Sequence, residues 1–149
     1  MLSVAIERGG PVRRLAMALC LLVASGLLGS CSRHSSAPDA TAKIRTTWAQ
    51  FFSTKTSVAN REKLLEDGVD FASTLNTQAQ DGPISAVVDK VTLSDATHAA
   101  VSYSLSIGKS IRLNSVAGAA VLVNGKWLVS ESTLCVVTAA TGTPAAACS

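Results

Sequence analysis

The sequence predicts an α+β domain: helices first, then a four-stranded antiparallel meander on which they pack. Three observations lead there. Apolar residues between Thr41 and Leu75 recur at the three- and four-residue steps of amphipathic helices. From Gly82-Pro83 onward the period shortens towards two, as in half-buried strands. Asn124-Gly125, set between Val121-Leu122-Val123 and Lys126-Trp127-Leu128-Val129, supplies the two residues tolerant of positive φ that a type I′ hairpin requires. Helices packed on one face of an antiparallel meander make an α+β domain.

Each element follows from its own residues. Ile44, Trp48, Phe51 and Phe52 fall at i, i+4, i+7 and i+8 and form one stripe of a helix over Thr41 to Ser53, with Asp39 or Thr41 as its cap. After Ser57 a second helical pattern sets Leu64, Leu65, Phe71, Ala72 and Leu75 against Lys63, Glu66, Asp67 and Asp70, and Gly68 either kinks or splits it. Ile84 to Leu93 reads as a strand with Val87, Val91 and Leu93 on one face. In the next strand Ala99, Val101, Tyr103, Leu105 and Ile107 alternate with small and polar residues. Ser94 to His98 joins these two, and Gly108-Lys109-Ser110 turns the chain into the third strand. A two-residue loop at Asn124-Gly125 then sets Leu122 opposite Trp127 and Ala120 opposite Val129.

With 149 residues there is room for one compact core. At 48% hydrophobic and 15% charged residues the chain is no disordered polyelectrolyte. Its formal charge is +3, but Arg8, Arg13, Arg14 and Glu7 lie in the first 30 residues. Without that stretch ten bases face nine acids, a charge of +1. So balanced a chain has no electrostatic case for nucleic acid, whose binding rests on phosphate neutralisation.

Residues 1–30 read as a signal peptide. Arg13-Arg14 precede an apolar run from Leu15 to Leu28, which small residues end. The polar stretch from Ser30 to Asp39 cuts the run short of the roughly 20 residues that span a bilayer. The flanks of Arg13-Arg14 match twin-arginine export poorly. Leu28-Gly29-Ser30-Cys31 resembles the lipobox of bacterial lipoproteins. That resemblance implies diacylglyceryl transfer to the Cys31 thiol, cleavage before it, and a chain held on the outer face of the cell membrane; an ordinary cleaved signal would instead release a secreted protein. Two acyl chains suffice for stable anchoring where one does not.

Residues 31–40 read as a flexible tether, small and polar with Pro38, followed by the folded domain over 41–149. His34 stands in that tether with no second ligand nearby. With Cys20 removed and Cys31 acylated, Cys135 and Cys148 remain as a pair in an exported chain, which points to a disulfide. It would pin a tail from Thr138 to Ala147 that has little to bury. A redox or metal role lacks the spacing and partners it needs, and no cofactor is expected.

Trp48-Ala49-Gln50-Phe51-Phe52, Leu64-Leu65-Glu66-Asp67-Gly68, Ala100-Val101-Ser102-Tyr103 and Gly125-Lys126-Trp127-Leu128-Val129-Ser130, with Cys135 after them, together resemble the C-terminal domain of mycobacterial low-molecular-weight antigens of the MTB-twelve type. The likeness covers about Thr41 to Cys148 and departs at Leu134, where an aromatic is expected. It implies an exported actinobacterial envelope protein with a cystatin-like or nuclear-transport-factor-like fold, a helix laid across a curved sheet. It brings no catalytic residues with it.

Folds of that shape can enclose a pocket, and the acid/base candidates for one are Asp89, Asp95 and His98. Asp95 and His98 fall in a turn, where Asp serves turn chemistry. Asp89 shares the strand parity of Val87 and Val91, which a bulge or a wet edge would explain. Ser102, Ser104 and Ser106 read as the solvent side of a strand, and Trp48, Phe51, Phe52 and Trp127 as core rather than a ligand cage. The expectation is a non-catalytic, membrane-tethered envelope module that binds a partner protein or an apolar small molecule between helix and sheet. The alternative is an envelope hydrolase or isomerase using His98 with Asp89 or Asp95.

Overall fold

The computed structural model describes residues 36–80, 82–108 and 111–148. Residues 1–30, expected as a signal peptide, and Cys31 lie outside them. Helix α1 runs from Ala37 to Phe51. It starts within the stretch expected as tether, because Pro38, whose fixed φ suits a first turn, occupies its opening turn. Residues 37–40 thus belong to the folded domain, and Ala40 is buried. Neither Asp39 nor Thr41 caps the helix; the cap position is Ser36, in extended conformation. Ile44, Thr47, Trp48 and Phe51 form the buried stripe.

The second helical pattern divides into α2, Val58–Glu62, and α3, Ala72–Gln78. Gly68 is the reason. A Cβ there would stand 2.1 Å from the carbonyl oxygen of Glu62, so the backbone doubles back too closely for any side chain. Asp67, at φ 50°, completes the reversal. The freed segment reaches the sheet, where the Glu66 N–H donates to the Val129 carbonyl and the Val129 N–H to the Leu64 carbonyl, each at 2.9 Å. Leu65, Phe71 and Leu75 point into the core.

Four antiparallel strands follow in the order β1-β2-β3-β4: Ile84–Leu93, His98–Ile107, Ile111–Val123 and Lys126–Val129. The hairpin is as predicted, with Asn124 at φ 49°, Gly125 at φ 77°, Leu122 opposite Trp127 and Ala120 opposite Val129. β2 buries Ala99, Val101, Tyr103 and Leu105. β1 departs from its expected face. A bulge between Val88 and Lys90 inserts Asp89, so Ile84 and Val88 are buried before it while Val91 and Leu93 turn inward after it. Val87 is consequently 66% exposed instead of sharing their face. A second irregularity between Tyr103 and Leu105 adds curvature, so that the sheet wraps α1.

One element has no counterpart in the sequence-based expectation. Helix α4, Glu131–Ala140, follows β4 directly and converts part of the expected tail into ordered structure. The Ser130 hydroxyl caps it by accepting from the Thr133 N–H. Thr133 in turn accepts from the Ala119 N–H at 2.8 Å, which docks α4 on β3 beside Gly118. Cys135 on α4 is bonded to Cys148 in the final 3-10 turn, Ala146–Cys148. Leu134, where an aromatic is expected, is accommodated, since its side chain is fully buried.

Candidate functional site

The space between α1 and the sheet is filled by aromatic rings. Trp48 meets Tyr103 edge-on at 6.1 Å, Phe52 stacks on Tyr103 at 5.6 Å, and Phe51 stands against Phe52 at 4.8 Å. Burial pushes the Tyr103 hydroxyl up to about 12. That hydroxyl and the indole N–H groups of Trp48 and Trp127 are buried with no hydrogen-bond partner among the described residues.

A concavity lies outside the core, where α1, the α2 segment and the β3–β4 hairpin meet. Two contacts place its walls. The Thr47 hydroxyl donates to the Trp127 carbonyl at 3.0 Å, which fixes α1 against the hairpin. The reversal at Gly68 then brings Leu64 and Lys63 to β4 from the other side. The result is an open groove of about 780 Å³. Lys43, Lys55, Lys63 and Lys126 line it together with Thr46, Thr56, Gln50 and Asn60, and Leu64, Trp127 and Leu128 form its apolar part. Among the described residues no carboxylate, histidine or thiol lines it.

The acid/base candidates are elsewhere. Asp95 accepts the Thr97 N–H at 2.7 Å, the Thr97 hydroxyl at 2.9 Å and the His98 N–H at 2.9 Å, and its carboxylate stands 3.0 Å from His98 Nδ1. The Thr97 N–H first, then His98 and the Thr97 hydroxyl, hold Asp95 at about 2. Both side chains are more than half exposed, at 55% for Asp95 and 60% for His98. Asp89 sits on the bulge, exposed, and its carboxylate accepts from the Ser104 hydroxyl at 3.2 Å. The backbone there is held by Arg45, whose guanidinium donates to the Val88 and Asp89 carbonyls. None of the three lines the groove. Ser102, Ser104 and Ser106 are half-buried on the face of β2 away from Tyr103.

Arg61 is a structural residue that no motif in the sequence marks. It is 5% exposed, donates from Nε to the Phe51 carbonyl at 2.8 Å and from Nη2 to the Gln78 side chain at 3.0 Å, and lies 5.1 Å over the Phe51 ring. It ties α2 and α3 to the end of α1, where free carbonyls favour a cation, and burial lowers its pKa. An arginine among polar neighbours carries no local sign of burial. The groove lysines also lack a shared motif, since positions 43, 55, 63 and 126 converge only in three dimensions. Among the described residues no three His, Cys, Asp or Glu side chains converge to hold a metal ion.

Fold and groove define a small α+β module with a filled aromatic core and a basic concave surface. Residues 36–145 match the family described as the low molecular weight antigen MTB12, C-terminal domain, and the chain belongs to that family. Among solved structures it is similar to a putative NTF2-like transpeptidase from Campylobacter jejuni, at 12% identity and a TM-score of 0.39, over 64% of this chain and 98% of that one. No curated protein matches the chain significantly. Among the described residues no helix is long and apolar enough to cross a membrane.

Proposed function

We propose that this protein is a non-catalytic envelope module, tethered to the outer face of the membrane through diacylglyceryl-Cys31 and acting by binding. The observation that carries this reading is the make-up of the groove. Its walls offer ammonium, hydroxyl and amide donors but, among the described residues, no carboxylate, histidine or thiol to act with a nucleophile. Asp95 and His98 are engaged in their own exposed turn, which is a poor place for a general base. The aromatic filling between α1 and the sheet favours a partner on the outer surface over an apolar molecule inside. Membership of an antigen family accords with an exported chain.

The test is the intact mass of protein taken from its native membrane fraction, with thiols alkylated before and after reduction. The expected species begins at acylated Cys31 and gains two alkyl groups only after reduction. An unmodified chain starting elsewhere refutes the tether. For catalysis, a variant carrying Asp89→Ala, Asp95→Ala and His98→Ala is expected to match the native protein in an extract-wide substrate screen. Loss of a turnover that the native protein shows would refute the non-catalytic reading.

A further inference from the structure

We propose that the lysine-lined groove holds the phosphate headgroup of an anionic membrane phospholipid. The inference rests on the reading of Cys31 as a lipid anchor, which supplies the nearness of the surface. Lys43, Lys55, Lys63 and Lys126 come from three separate segments and line one concavity, on whose walls no carboxylate stands among the described residues. Lys43 is paired with Asp39 at 2.8 Å. Lys55, Lys63 and Lys126 make no side-chain hydrogen bond or ion pair among the described residues. Gathered cations repel one another, and a phosphate between them relieves that repulsion while taking further hydrogen bonds from Thr56 and Asn60 on the same walls. Lysine suits this role as a point charge, which needs no planar partner.

The tether favours a lipid over an acidic protein as the source of that negative charge. From Cys31 to Ala37 are six residue steps, at most about 20 Å of extended chain. Lys43 lies in the second turn of α1. An anchored chain therefore keeps the groove within reach of a dense layer of headgroups, and a lysine near an anionic leaflet is attracted strongly even without a specific site. Leu64 and Leu128, both half-buried at the groove, give the glycerol end of the headgroup an apolar contact.

Lysine acetylation followed by mass spectrometry reads the groove directly. The full protein from its native membrane fraction is placed in lipid discs of phosphatidylcholine, with or without phosphatidylglycerol. Acetylation of Lys55, Lys63 and Lys126 is expected to slow about fivefold in the anionic discs, while Lys90, exposed on β1, keeps its rate. Equal rates in both discs overturn the proposal, as does equal slowing of Lys90, which reports a diffuse field and no site. Equal protection by dissolved glycerol phosphate in neutral discs assigns the groove to a free solute and overturns the lipid source. Protection in native membranes but not in the discs assigns it to an acidic protein segment and likewise overturns the lipid source. The intact mass of the same sample reports Cys31 acylation separately, so that an acylated chain without protection refutes the groove alone, an unacylated chain with protected lysines refutes the anchor alone, and an unacylated chain without protection overturns both.

Discussion

Two turns at the same end of the sheet carry charge in different ways. In the turn between β1 and β2, Asp95 gathers the N–H groups of Thr97 and His98, the Thr97 hydroxyl and the His98 ring into one closed set. In the turn between β3 and β4, Asn124-Gly125 uses only backbone conformation to reverse the chain and presents Lys126 to a groove with three more lysines. The first turn consumes its charge in holding its own shape. The second leaves Lys55, Lys63 and Lys126 on a concave wall without a side-chain partner among the described residues, while Lys43 beside them is paired with Asp39.

The comparison breaks most readily at the hairpin. Trp127→Ala removes a buried ring that packs on α1 and walls the groove, and is expected to cost about 3–5 kcal/mol in urea denaturation. A smaller loss would mean that the hairpin is held by its turn alone. Opening the Cys135–Cys148 bond by Cys148→Ser acts away from both turns. Closing a loop of this length is worth about 2–4 kcal/mol, so the melting temperature should fall while acetylation of the groove lysines stays as in the native protein. A changed lysine pattern would show that α4 supports the groove.

Asp95 sharpens the other side of the comparison. Its folded pKa of about 2 lies below the ordinary 3.8, so its contribution to stability is present above about pH 4 and is lost as pH falls through 2. The difference in melting temperature between native protein and Asp95→Ala should therefore be constant near neutrality and vanish at the acid end. A difference still undiminished at pH 2 would place the role of Asp95 outside its carboxylate. The smallest effect belongs to Lys55→Ala, Lys63→Ala and Lys126→Ala, each within about 0.5 kcal/mol of native stability. A large loss from any of them would make the groove a structural feature.

What is legible in the sequence is whatever a short stretch of chain decides by itself. The Asn124-Gly125 hairpin and its register follow from local backbone chemistry. The stripe of Ile44, Trp48 and Phe51 follows from helical period. The face of Val87 does not follow from strand parity, because the bulge at Asp89 is held from elsewhere: Arg45 on α1 donates to the Val88 and Asp89 carbonyls. α4 is hidden for a related reason. Two of its four buried residues are Thr133 and Thr138, which read as polar but bury hydroxyls bonded to the Ala119 and Cys135 carbonyls.

The sequence by itself determined the α+β class, the order of the strands, the aromatic core and the pairing of Cys135 with Cys148, because each rests on residue types and periods that act locally or on a pair with no other partner. Only the tertiary structure decided where α1 begins, which way β1 faces after its bulge, and that four lysines from three separate segments share one groove. Those outcomes depend on contacts between segments, and a charge acquires its meaning from the neighbours that folding brings to it or keeps away.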